Sequence, residues 1–425
     1  MGQRIKTKLP KGQDQLVVAL DVGSTKVCCF VAKVGVDNEM TILGMGNRIS
    51  KGMQNGAIID MEQVEASIKS VVESAERMAG ETVTDVLVNI SPSHPRSKVL
   101  EADVPINGNG VEQVDIEKLL AQASQGLSLE ERHLLHAFPA CFAVDNSIGI
   151  RDPRGMFGEK LSVALHLIDT AEGPVRNLHT CVARAHLNPS KMVLSPYASG
   201  FATLVEDEME LGAACIDLGG GTTSVSVFAK HSMVYANIIP QGGHDITKAI
   251  AKELLTPIEY AERLKTLNGN ATATRSDAHA PIDIQILGED ETEVEGHVRI
   301  QKSQLTDVIE PQVVDTLEKA AACLKESGFD RVSGKRVVLT GGGSLLPGIQ
   351  DLAQKILGKQ VRLGRPERIE GIAENTRGPA YSTCVGLLLY AVKAPLEMGE
   401  QQSLSVGTGI TTGFSGFTSW FKRSF

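Results

Sequence analysis

The stretch from Ala213 to Phe228, AACIDLGGGTTSVSVF, restricts what this chain can fold into more than any other. Its flanks are apolar and alternating, and Gly219, Gly220 and Gly221 can take positive φ without a Cβ clash, which predicts a tight β-hairpin. A turn without side chains bares its N–H groups, and successive bare amides form a concavity for an anion. The Thr222 and Thr223 hydroxyls add donors, so a phosphate suits this tip. Asp217, at the end of the first strand, would face that phosphate as a second negative group. A cation must then stand between them, and Mg2+ held through water meets the need. An ordinary Gly-rich hairpin with an acid in its turn is the alternative for this motif taken alone.

The same order occurs twice. Val17 to Phe30, VVALDVGSTKVCCF, again places an acid, Asp21, between apolar strands and follows it with Gly23, Ser24, Thr25 and Lys26. Self-similarity at such a separation points to a duplicated domain rather than a short solenoid repeat. A third turn, Gly341, Gly342, Gly343 and Ser344, follows the apolar strand Val337 to Thr340 and precedes a helical stretch expected over Leu346 to Leu357. Glycines at a strand-to-helix turn let a ligand approach the backbone, which suits the nucleoside end of a nucleotide.

Two acid-and-glycine hairpins and one later Gly turn, in this order, resemble the actin, Hsp70 and hexokinase superfamily. The resemblance implies an α/β, actin-like fold in which two related domains close over a nucleotide cleft holding ATP and Mg2+. Asp21 and Asp217 would then hold the Mg2+ through water.

Composition excludes several other classes. A length of 425 residues with 42% apolar content supports a large core in more than one domain. The formal charge of -9 argues against nucleic acid as a partner, because that binding needs a positive field. Seven cysteines with no C-x-x-C pair suit a reducing compartment and small buried side chains. Residues 1–14 are polar and basic and lack the apolar region of a secretory signal. No run approaches the ~20 apolar residues of a transmembrane helix, so the body of the chain is expected in the cytoplasm.

Helical periodicity marks Asp60 to Met78, and Val83 to Ile90 alternates as a strand. From Ser91 to about Leu167 short strands and the turn Asn107 to Gly110 depart from the actin order. His133 and His136 have a spacing that could pair on a helix, but no further ligands accompany them, and ordinary histidines are the preferred reading. Leu135 to Pro139, Gly149 to Met156 and His166 to Ile168 are similar to the inserted subdomain 1C of FtsA, the bacterial cell-division actin homologue. Thr203 to Gly212 and Ile309 to Pro311 are also FtsA-like.

Further on, Pro240 to Thr247 brings Gly242 and Gly243 to the start of a helix, and Glu262 and Lys265 lie in the next. An i, i+3 pair of this kind is an ordinary surface ion pair by spacing. The family resemblance implies instead that Glu262 and Lys265 hold the adenosine sugar and base, and its order of motifs favours that role. The strands Ile282 to Ile286 and Val298 to Ile300 would belong to a small subdomain, 2B, which in FtsA receives the C-terminal tail of the tubulin homologue FtsZ. Where ATP-hydrolysing relatives place an acid or glutamine, this chain has Ser195, a poor general base unless activated. The catalytic residue is unknown, and the expected enzyme activity is at most that of a slow ATPase.

The C-terminus carries a second signal. The only Trp and four of the eleven Phe lie in the last twelve positions. At ~100° per residue Phe414, Phe417, Trp420, Phe421 and Phe425 share an arc of about 140°, with Lys422 and Arg423 elsewhere. That pattern suits a helix in a membrane interface with its basic groups near anionic headgroups. A tail helix docked on the protein's own core is the alternative.

The domain boundaries expected are 1–14 as a flexible N-terminus, 15–90 with 168–197 as subdomain 1A, and 91–167 as the 1C insert. Residues 198–243 with 306–392 form 2A, 244–305 form 2B, 393–413 a linker and 414–425 the membrane-targeting helix. The resemblance implies a peripheral protein on the cytoplasmic face of the bacterial inner membrane at the division site. It would polymerise and tether the FtsZ ring, with lipids and other division proteins as further partners. A small-molecule kinase of the same superfamily is the competing class, and it leaves the aromatic tail unexplained.

Overall fold

The computed structural model describes residues 15–125, 132–275, 277–287 and 294–393. The first half opens with a meander of β1 (Gln15–Val22), β2 (Lys26–Val34) and β3 (Met40–Ile49), then the short pair β4 (Met53–Gln54) and β5 (Ala57–Ile58). Helix α1 (Met61–Ala79) leads to β6 (Asp85–Ile90), which runs parallel to β1. The Asp60 carboxylate caps α1, accepting from the Glu62 and Gln63 N–H groups at 3.0 and 3.1 Å. Val64, Ile68, Val71, Val72 and Ala75 form the buried stripe of that helix.

An insert follows, made of β7 (Arg96–Pro105), α2 (Gln113–Gln125), β8 (Arg132–Val144), β9 (Ser147–Ile150) and β10 (Lys160–Ala171). Its strands form a separate sheet in the order β7-β10-β8-β9. The first half ends with α3 (Glu172–Arg184), β11 (Asn188–Leu194) and α4 (Ser195–Thr203).

The second half comprises α5 (Glu206–Leu211), β12 (Ala213–Leu218), β13 (Thr223–Ala229) and β14 (Ser232–Ile239), then α6 (Gly243–Glu253) and α7 (Ile258–Asn268). A hairpin of β15 (Pro281–Leu287) and β16 (Val294–Gln301) precedes the long α8 (Lys302–Ser327). The chain continues through β17 (Arg336–Thr340), α9 (Ile349–Leu357), β18 (Gln360–Leu363) and α10 (Ser382–Lys393).

The two main sheets have one topology. Their orders are β3-β2-β1-β6-β11 and β14-β13-β12-β17-β18, each an antiparallel meander extended by two parallel strands. The repeated motif in the sequence is therefore the outward sign of a repeated sheet, with β1 and β12 in corresponding places.

The helices that follow each sheet exchange partners. α4 leaves β11 and packs on β12 and β13, whereas α10 leaves the second half and packs on β1, β2 and β6. Cys384, Val385, Leu387, Leu388 and Tyr390 accordingly lie in the same core as Val18, Leu20 and Phe30. The apolar face of α10, within the stretch 306–392 expected as part of 2A, is thus buried by the first sheet. Residues 195–197, expected with 1A, likewise begin the helix that packs on the second sheet.

Three smaller expectations concern the histidines, one helix start and the two ends of the chain. His133 and His136 lie on β8, where successive side chains alternate faces and residues three apart diverge, in keeping with the preferred reading of ordinary histidines. His136 is buried and its Nε2 accepts the Leu194 N–H at 2.9 Å, a structural role. The helix expected from Leu346 begins at Ile349, after Gly348 at φ 79°. The residues of the expected membrane helix, Phe414, Phe417, Trp420, Phe421, Lys422, Arg423 and Phe425, the expected linker from 394 and the N-terminal 1–14 lie outside the described residues.

Candidate functional site

The two hairpin tips are built alike. The Gly23 N–H donates to the Lys26 carbonyl at 3.0 Å, and the Gly219 N–H donates to the Thr222 carbonyl at 2.9 Å. The tips also meet. A Cβ on Gly220 would stand 2.3 Å from the Thr25 side chain, and one on Gly221 would stand 2.5 Å from Ser24 Oγ. Positive φ is not the reason for these glycines, contrary to the expectation from the motif: Gly219, Gly220 and Gly221 are absent from the described residues with φ in that region. Close approach of one tip to the other is what requires Gly220 and Gly221, whereas a Cβ on Gly219 would stand 2.7 Å from the Thr222 carbonyl of its own hairpin. Gly341 does need its freedom, with φ 81° and a Cβ position 2.2 Å from Asp217 Oδ1.

Between the halves lies a cavity of 340 Å3, within the range of pockets that take a small ligand. Asp21, Gly23, Ser24, Thr25 and Lys26 line one side, and Asp217, Gly219, Gly220, Gly221, Thr222 and Thr223 the other. Gly242, Gly243, Glu262 and Lys265 close one end, together with Gly341, Gly342 and Gly343. Ser344 is not on the wall. It is buried and its Oγ donates to the Gly341 carbonyl at 2.7 Å, which holds the third turn in shape.

Both acids sit at the ends of corresponding strands, Asp21 on β1 and Asp217 on β12, and both are buried. Burial pushes the Asp21 carboxyl up to about 6, with Lys26 opposing and the charge of Asp217 adding to the rise. Burial raises Asp217 as well, against the pull of the Thr383 hydroxyl and Lys26. Thr383 Oγ1 donates to Asp217 Oδ2 at 3.3 Å. Two buried carboxylates, the charge of Asp217 raising Asp21, with one lysine nearby, form a site whose charge a divalent cation would balance. Thr223 Oγ1, at the cavity wall, is buried without a hydrogen-bond partner among the described residues. A cradle of glycines, an unsatisfied hydroxyl and paired acids fit a phosphate with a metal ion.

Glu262 and Lys265 form an ion pair at 2.7 Å and also line the cavity, so the two readings of their spacing coincide. Lys265 Nζ donates to the Gly243 carbonyl at 2.9 Å and to Thr247 Oγ1 at 2.8 Å, and Thr247 Oγ1 donates to Glu262 Oε2. This network pins α7 to the start of α6.

Several wall residues escape the motifs. Asn89 Oδ1 accepts the Val22 N–H at 2.6 Å, and its Nδ2 donates to Ser195 Oγ at 3.1 Å. Ser91 Oγ stands 2.6 Å from Ser195 Oγ. All three line the cavity, as do Pro379, Ala380 and Thr383. The signal for Asn89 and Ser91 is their place at the carboxyl end of a strand parallel to β1, where open α/β sheets bind ligands. Among the described lining residues Asp21, Asp217 and Glu262 are the carboxylates, and Ser195 is surrounded by Asn89 and Ser91 rather than by an acid.

Comparisons with known proteins agree with this architecture. The family described as Cell division protein FtsA matches residues 214–386. The SHS2 domain inserted in FTSA matches residues 92–169, the region of the separate sheet. The chain is 40% identical to the Cell division protein FtsA of Rhizobium meliloti (strain 1021), covering 98% of this chain and 96% of that one. It is 29% identical to the protein of that name from Escherichia coli (strain K12), over 97% and 98% of the two chains. Among solved structures, the PilM-PilN type IV pilus biogenesis complex contains a similar chain with a TM-score of 0.63 at 17% identity, covering 89% and 98%. MreB 5 of Spiroplasma citri bound to AMPPNP is similar with a TM-score of 0.50 at 15% identity, covering 88% and 95%. These likenesses establish the actin-like fold.

Proposed function

Because this chain belongs to the FtsA family of cell division proteins, we propose that its cleft binds ATP with Mg2+ and that the bound nucleotide sets how the two halves sit. The facing pair of hairpin turns, closed by the same hydrogen bond, carries this reading. Each tip offers bare amides and a hydroxyl to phosphate, and each supplies one buried acid for the metal. The likeness to an AMPPNP-bound MreB 5 supports the same ligand class. Gly341, Gly342, Gly343, Glu262 and Lys265 lie where a nucleoside would extend from the phosphates. When bound, Mg2+ would neutralise phosphate charge, and Ser195 supplies no carboxylate to draw a proton from water. Turnover is therefore slow, and the ligand acts mainly by closing the cleft. The kinase alternative asks for an acid facing the terminal phosphate, and nothing on the described wall beyond Asp21, Asp217 and Glu262 offers one.

The protein polymerises and tethers the FtsZ ring to the cytoplasmic membrane. Exposed Leu255, Ile258 and Leu267 around α6 and α7 support a peptide-docking role for residues 244–305. The aromatic and basic residues from Phe414 to Phe425 support membrane attachment. Among the described residues no helix is long and apolar enough to cross a membrane. Titration calorimetry of Mg-ATP against the full chain and an Asp217→Asn variant tests the cleft. Binding should require Mg2+ and weaken by about tenfold or more in the variant, whereas equal binding by both would defeat the assignment.

A further inference from the structure

The turn Pro379–Tyr381, which opens α10, holds the lysine of the first hairpin from two directions. Lys26 Nζ donates to the Ala380 carbonyl at 2.5 Å and stands 3.5 Å from the centroid of the Tyr381 ring. The ring is itself fixed. It stacks on Phe30 with centroids 6.0 Å apart and planes at 18°, and its hydroxyl accepts from Asn47 Nδ2 at 3.0 Å. Phe30 belongs to β2 and is fully buried, so the sheet that carries Lys26 also supports the aromatic face above it.

A lysine ammonium is a compact charge on a flexible stem, with three donors and no preferred plane. Left to itself it would meet a phosphate only after losing rotamer freedom. Here one donor goes to a carbonyl and the ring face attracts the charge by its quadrupole. Lys26 is half-buried and lines the cavity, and its charge acts on both Asp21 and Asp217. The next residues of the same segment reach the other half of the site: Ser382 Oγ is 2.7 Å from Thr340 Oγ1, and Thr383 bonds Asp217.

We propose that Tyr381 is a positioning residue for Lys26, so that the start of α10 is a further element of the polyphosphate site and favours phosphate-bearing ligands over the nucleoside. The inference rests on the cleft's being a nucleotide site. Ordering of the ammonium before the ligand arrives removes part of the cost of binding phosphate and leaves the base and sugar end untouched.

Affinities of the full-length chain for Mg-ATP and for adenosine, measured by calorimetry with competition for the weaker ligand, test this. Tyr381→Leu should weaken Mg-ATP by about five- to tenfold and leave adenosine unchanged, and Tyr381→Phe should restore most of the loss because it keeps the ring. In a Lys26→Gln background Tyr381→Leu should have no further effect. Parallel losses for ATP and adenosine, an unaltered ATP affinity, or a Phe variant as weak as the Leu variant would each overturn the proposal. Absence of ATP binding by the parent chain would remove the nucleotide reading and this inference with it. Should Tyr381→Leu fail to fold, Tyr381→Met, which keeps apolar bulk against Phe30 without an aromatic face, carries the same comparison.

Discussion

Gly386 of α10 lies so close to Ala198 of α4 that a Cβ on the glycine would sit 1.9 Å from the Ala198 carbonyl oxygen. Each of these helices is delivered by one half of the molecule and packs on the sheet of the other, so their crossing joins the two halves. Gly386→Ala should cost at least about 2 kcal/mol, since backbone and not a flexible side chain would have to give way. Urea unfolding measures this, and a variant as stable as the parent would show that the crossing can slide.

Gly220 differs from Gly386 because its neighbour is an exposed tip. Gly220→Val puts side-chain atoms into Thr25 and forces the hairpins apart, with little core disturbed. Mg-ATP affinity should fall by about tenfold or more, the equivalent of 1.4 kcal/mol, while the melting temperature moves by only about 2 °C or less. Calorimetry beside thermal unfolding separates the two effects. A large loss of stability with binding intact would reverse the expectation.

His166 lies fully buried on β10 in the insert, its Nε2 2.7 Å from Ser97 Oγ. Burial lowers its pKa from 6.5 to about 3, with nearby His136 adding to the effect and a backbone contact at Met233 opposing it. The unfolded chain takes up this proton near pH 6.5 and the folded one only near pH 3, so stability present above 6.5 is lost as pH falls toward 3. The slope from this one group is about 1.4 kcal/mol per pH unit. His166→Asn should flatten unfolding free energy against pH between 6 and 4, whatever its effect on absolute stability. Identical slopes would mean other groups dominate acid unfolding.

Trp420 is the only tryptophan in the chain. Full burial of a large apolar side chain contributes ~1.5 to 3 kcal/mol, and interfacial burial is partial, so under the proposed attachment a single tail would bind a membrane reversibly. Many tails along the proposed polymer would gain avidity. Sedimentation with anionic vesicles should therefore rise with ATP and drop sharply in Trp420→Glu. Binding that ignores both the substitution and the nucleotide would separate the tail from membrane attachment.

The hairpin motifs were legible because they are local: an acid at a strand end and a run of glycines can be read without knowing what lies opposite. The wall residues Asn89, Ser91, Ala380 and Thr383 were not, because each is brought to the cleft by a parallel strand or a helix start distant in sequence. Gly219 to Gly221 were recognised for the wrong reason. Turn geometry is a property of the segment, but the contact of Gly220 with Thr25 exists only after both halves have folded.

By itself the order of residues determined the repeated strand-acid-glycine pattern, the helical and strand periodicities and the composition of the tail, since these depend on neighbours along the chain. Only the tertiary structure decided that α10 belongs with the first sheet, that His136 packs in the interior, and that Lys26 rests on Tyr381. Those outcomes depend on which buried faces find one another across long separations, and hydrophobic burial carries no direction from which a sequence could name the partner.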